Sequence, residues 1–125
     1  MGRWVPCLAL VSVLGAAGSP AIAAECAGVD QHSLNRCAED EYRVADRGLN
    51  AQYKATRKVL ADFDAAAEKQ LVLAQRAWIG FRDAHCETAA FANKGGSAEP
   101  LTRFGCLAEL TTARTTQLQE LADGF

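Results

Sequence analysis

The sequence predicts an all-α protein: an antiparallel three-helix bundle stapled by two disulfides, following a cleaved signal peptide. Three observations predict it. Apolar or small residues recur in steps of three and four along three separate stretches, no segment sustains the period-two alternation of a half-buried strand, and four cysteines remain once the leader is set aside. A chain of 125 residues has room for one domain.

Residues 1–23 read as the leader. Arg3 supplies a positive start, Trp4 to Gly18 carry no charge, and Ser19-Pro20-Ala21-Ile22-Ala23 ends in the small-x-small pattern of a cleavage site. Gly15, Gly18, Ser19 and Pro20 interrupt the run before it reaches the ~20 apolar residues of a spanning helix. Glu25 directly before Cys26 does not suit a lipoprotein signal, so no lipid anchor or stable membrane insertion is expected after cleavage. The mature domain, residues 24–125, is expected in the periplasm or secreted. Losing Arg3 leaves 12 of the 13 Lys and Arg against 15 Asp and Glu, a net charge of −3, which argues against nucleic acid as a partner.

The first helix starts near Leu34 and places Ala38, Tyr42, Ala45, Leu49, Tyr53, Thr56, Leu60 and Phe63 on one face, with Asp30 or Ser33 available as its cap. Gly48 weakens it by about 1 kcal/mol without breaking it. A second helix begins after the acids Asp62 to Asp64 and runs through Leu71, Ala74, Trp78, Phe81, Cys86 and Ala89. Asn93-Lys94-Gly95-Gly96-Ser97 cannot continue it. Pro100 then sits in the first turn of a third helix, with Ser97 or Glu99 as its cap, and Phe104, Leu107, Leu110, Arg114, Leu118 and Leu121 follow.

Losing Cys7 with the leader leaves Cys26, Cys37, Cys86 and Cys106, an even set that in an exported chain reads as disulfides before metal. No C-x-x-C occurs, and His32 and His85 complete no familiar ligand spacing, so neither metal nor cofactor is expected. If the second and third helices fold back across Gly95-Gly96, Cys86 and Cys106 come level and pair. Cys26 with Cys37 is the remaining pair, stapling the N-terminal arm to the first helix.

Asp46 and Asn50 stand one turn apart on the first helix, while Gln75 and Arg82 share a face with Trp78 on the second. Half-buried polar groups need partners, so Asp46 is expected to pair with Arg82 and Asn50 to meet Gln75. The set reads as a structural network fixing helix register rather than as a catalytic acid. The mature serines are only Ser33 and Ser97, the cysteines are committed to disulfides, and no Ser/His/Asp or Cys/His set emerges, so the chain is expected not to be an enzyme. Asn93, Gly95, Gly96, Ser97 and Glu99 form instead an exposed tip held at its base by Cys86 and Cys106, which reads either as a plain connection between helices or as a candidate loop pre-organised for binding a protein.

These residues carry a resemblance. The string Leu34-Asn35-Arg36-Cys37-Ala38, with Tyr42, Ala45-Asp46, Leu49-Asn50 and Tyr53, precedes the block Ala74-Gln75-Arg76-Ala77-Trp78-Ile79 and then Phe81-Arg82-Asp83-Ala84 with Cys86. Gly95-Gly96-Ser97, Cys106, Thr111 and Arg114 complete a pattern that resembles the LprI N-terminal-like family of exported bacterial proteins, from about Cys26 to Leu118. The resemblance implies a small, helical, disulfide-bonded envelope protein, with lysozyme inhibition as the activity of the namesake. The alternative is an envelope stress or immunity-type protein that binds a different partner.

Overall fold

The computed structural model describes residues 28–125, so the expected leader, its cleavage site and Cys26 lie outside the described residues. Among these residues there are three α-helices, α1 (Gln31–Phe63), α2 (Ala65–Ala90) and α3 (Glu99–Asp123), a short 3-10 turn at Phe91–Asn93, and no strand.

The caps decide the boundaries. Of the two candidates for α1, Asp30 is the cap, accepting hydrogen bonds from the Ser33 backbone N–H at 3.0 Å and its hydroxyl at 2.7 Å. Helix α1 remains helical through Gly48 and ends at Asp64, which alone joins it to α2. The Asp64 N–H closes the last turn on Leu60 O at 2.8 Å, while its carboxylate accepts the Ala66 N–H at 2.6 Å. One extended residue therefore caps the end of one helix and the start of the next. The start of α3 differs from expectation. Neither Ser97 nor Glu99 caps it; Ala98 occupies the cap position with no side-chain bond, and Pro100 lies in the first turn. The Glu99 carboxylate reaches back to the loop instead, accepting the Gly95 N–H at 2.7 Å.

Helices α1 and α3 run parallel at a constant offset. Asn35 meets Ser97, Tyr42 meets Phe104, Thr56 meets Leu118 and Phe63 meets Phe125, each pair 62 residues apart. Helix α2 returns antiparallel to both, touching α1 through Arg57 and Glu68 near the Asp64 turn and α3 through Cys86 and Cys106 near the other end. The bundle is thus up-down-up, with its largest interface between α1 and α3. Leu49, Leu60, Leu71 and Leu118 form the core, flanked by Tyr53, Ala67 and Trp78. Each buried leucine contributes about 1.5–3 kcal/mol.

The Cys86–Cys106 disulfide is present, with Cα atoms 5.5 Å apart. Cys37 is also disulfide-bonded, and the Cys26 expected to pair with it is outside the described residues. No helix among the described residues is long and apolar enough to cross a membrane.

Candidate functional site

At the end of the bundle away from Asp64, the chain from Phe91 to Ala98 makes an exposed tip. Gly95 has φ +77°, a left-handed conformation that glycine adopts without the steric cost a side chain would bring. Four of the hydrogen bonds that hold the tip are shorter than 3 Å. Gly96 N–H donates to Asn93 O at 2.9 Å, Asn93 Nδ2 to Thr102 Oγ1 at 2.7 Å, Gly95 N–H to Glu99 Oε2 at 2.7 Å, and Asn35 Nδ2 to Ser97 O at 2.9 Å. The last of these ties the loop to the second turn of α1. Below it, Arg103 bonds Glu99 on its own helix and Glu87 on α2, the latter at 3.0 Å. The bonds from Gly95 N–H and then Arg103 hold the Glu99 carboxyl below the usual carboxylate range. With Cys86–Cys106 closing the base, these bonds brace the tip and reduce the conformational entropy it would lose on binding. It presents Lys94, whose ammonium lies 4.0 Å from the centre of the exposed Phe91 ring.

The mid-bundle polar cluster lies closer to the core. Arg82, only 7% exposed, bonds Asp83 at 2.9 Å, reaches Asp46 at 3.8 Å and donates to Thr111 Oγ1 at 3.4 Å. Its guanidinium lies over both Tyr42 and Trp78, at 5.6 and 5.2 Å from the ring centres. The expected Asp46–Arg82 pair is therefore formed, as a longer contact beside the shorter one to Asp83. The Asn50–Gln75 pair is not formed. Asn50 is exposed and donates along its own helix to Asp46 at 3.2 Å, whereas buried Gln75 accepts from Arg114 Nε at 3.0 Å. The reason is the packing order: α3 covers the Gln75 face of α2, and Arg114 reaches it before α1 does.

Arg114 also lies over Trp78, 5.8 Å from the ring centre, and burial pushes its pKa down from the ordinary arginine value. Two arginines thus lie against the ring of one tryptophan. No buried side-chain polar atom among the described residues lacks a partner. The buried polar atoms of the cluster are all paired, and its contacts tie the three helices to one another. Among the described residues, no group of three or more His, Cys, Asp and Glu is placed to hold a metal ion.

Sequence reasoning found the tip and half of the cluster, but missed Asn35, Thr102 and Arg103 as holders of the loop and Arg114 as a member of the network. A signal was present for two of them. Asn35 shares a face with Ala38 and Tyr42, and Arg114 lies seven residues after Leu107, so each is a polar residue on an apolar stripe.

Residues 23–118 match the family model described as lysozyme inhibitor LprI. The chain belongs to the LprI lysozyme inhibitor family. The matched span contains the whole tip, all of α2 and α3 to Leu118, so the loop geometry and the polar cluster are features of an LprI-family domain. The chain is 50% identical over 105 residues to an uncharacterized protein of Rhizobium meliloti strain 1021, an alignment covering 76% of each. It is also similar to the crystal structure of a DUF1311 family protein from Pseudomonas putida KT2440, with a TM-score of 0.70 and 25% identity over 78% of this chain and 97% of that one.

Proposed function

We propose that this LprI-family protein is an exported, non-catalytic binding protein that inhibits a lysozyme in the periplasm or outside the cell. The family match over residues 23–118 carries the reading. The geometry supports a binding role through the tip, which is exposed from Asn93 to Ser97 and braced by side chains of α1 and α3. The tip is the proposed contact, with the small residues Gly95, Gly96 and Ser97 allowing a partner to approach closely and Lys94 beside them. Many lysozymes are strongly basic, and a mature charge of −3 provides modest steering toward them, stronger at low salt than at high.

The test is the rate of cell-wall lysis by a panel of lysozymes, with and without the oxidised mature protein, at low and moderate salt. Saturable inhibition at near-stoichiometric dose is expected with at least one of them, and replacing Gly95 to Glu99 with an unrelated linker should weaken it about tenfold or more. Inhibition that survives the replacement moves the contact to a helix face. No inhibition of any lysozyme defeats the assignment and points to a different envelope partner.

A further inference from the structure

The outward face of α2 has the wrong chemistry for the solvent side of a bundle. Leu73, Ala77, Gly80 and Ala84 follow one another at intervals of four, three and four, and lie opposite the buried Leu71, Gln75, Arg82 and Cys86. All four are exposed, Leu73 by 58%, and Phe81 alongside them by 57%. A Cβ built on Gly80 meets nothing within 4 Å, so among the described residues nothing covers the stripe at that point. Intervals of four and three are those of the seam between two paired helices, and three small residues in the seam let a second backbone approach closely.

The charges beside the seam specify which second helix. Lys69 and Arg76 stand on one flank in the first half of α2, and Asp83 and Glu87 on the same flank in the second half. Asp83 and Glu87 remain 58% and 54% exposed despite their bonds to Arg82 and Arg103. When two helices pack antiparallel, like flanks face each other and first halves face second halves. Two copies of α2 placed this way bring Lys69 of each against Glu87 of the other, and Arg76 against Asp83. The seam agrees: Leu73 and Ala84 lie equally far from the midpoint between Trp78 and Ile79, as do Ala77 and Gly80. The same midpoint, within one residue, relates both charge pairs. A parallel pairing would set basic halves level with basic halves.

We propose that this face of α2 joins two copies of the chain in an antiparallel, two-fold homodimer. Its four ion pairs close across the axis, Phe81 of each copy covers the edge of the seam, and the two apical tips point to opposite ends of the assembly. The proposal is independent of what the tips bind. One helix pair sits at or below the small end of the ~1,200–2,000 Å² size class, so the association is weak and is read at high concentration.

Sedimentation of the oxidised mature protein from about 10 µM to 1 mM tests it. A monomer–dimer equilibrium should appear within that range and weaken with salt. Lys69→Glu and Glu87→Lys, each of which sets like charges together twice, should raise the dissociation constant about tenfold. Mixing the two variants in equal amounts should restore dimers, because both opposed pairs are again of opposite sign. Gly80→Arg places a charge at the centre of the seam in open space on the monomer. It should abolish the dimer while leaving the helical signal and melting temperature at or above those of the parent. A monomer throughout the range overturns the proposal, as does a dimer that persists in Gly80→Arg or a mixture of charge variants that fails to associate.

Discussion

Arg82 shows how a single side chain unites the bundle. It is buried at the junction of all three helices, contacting Asp46 and Tyr42 of α1, Asp83 and Trp78 of α2, and Thr111 of α3. Replacing it with Ala removes a guanidinium stacked on two rings and leaves the hydroxyl of Thr111 without that donor. Arg82→Ala should cost about 2–4 kcal/mol in urea unfolding, whereas Arg82→Lys, which keeps the charge but not the flat face, should cost roughly half as much. A loss below about 0.5 kcal/mol would mean that Arg114 alone holds Trp78 and the register. At the tip, Glu99 carries a pH prediction. Its carboxyl is held below the usual range by the Gly95 N–H and then Arg103, so these contacts are present above the unfolded pKa and are lost as pH falls through the lower folded one. The Gly95 amide resonance should therefore follow an acid transition centred below that of an ordinary glutamate, and Glu99→Gln should remove the transition; a midpoint at the ordinary value would show the bond to be absent in solution. At this scale the sequence told half the story. Asp46 and Arg82 were legible because half-buried opposite charges at matching heights must meet. Asn50 and Gln75 were not, because spacing along each helix does not say which of two neighbours a polar group will face.

Helices were the most legible level, since each announces itself by period and punctuation. Asp30, Asp64 and Pro100 mark where α1, α2 and α3 begin, and Gly95 marks where the chain turns back. The bare start of α3 was not legible: Glu99 looked like a cap, but the loop competes for its carboxylate and wins it through the Gly95 N–H. The length of α1 makes its one mid-helix glycine informative. Gly48 is exposed, has a helical neighbour on either side, and a Cβ there meets nothing within 4 Å. Gly48→Ala should therefore stabilise the protein by about 0.5–1 kcal/mol, raising Tm by a few degrees, because alanine has less backbone freedom to lose than glycine. A drop in Tm would reveal something packed against that turn of α1, such as a partner chain.

Up-down-up order followed from short connections, but the parallel register of α1 and α3 did not, because all of α2 separates them in sequence and nothing local fixes their offset. That register comes from long-range contacts: the Thr56 hydroxyl on Leu118 O at 3.0 Å, Tyr42 on Phe104, and Phe63 edge-on to Phe125. The Cys86–Cys106 bridge acts on a different part of the molecule. It spans 20 residues, the returning end of α2, the tip and the start of α3, and leaves the α1–α3 contacts untouched. Closing a loop of that size in the unfolded chain is worth about 3 kcal/mol. Replacing Cys86 and Cys106 together with Ala should therefore lower stability by about 3 kcal/mol, slightly more if the fully buried Cys86 site fails to collapse around the smaller side chain. The helical circular dichroism should survive, because the leucine core and the α1–α3 register do not depend on the bridge. Amide exchange should accelerate at Gly95 and Gly96 well before it does at Leu49 or Leu118, since the tip loses its clamp and the core does not. If helix content collapses at 25 °C instead, the bridge is what holds α2 to the bundle. The braced tip and the outward seam of α2 would then both exist only in the oxidised protein.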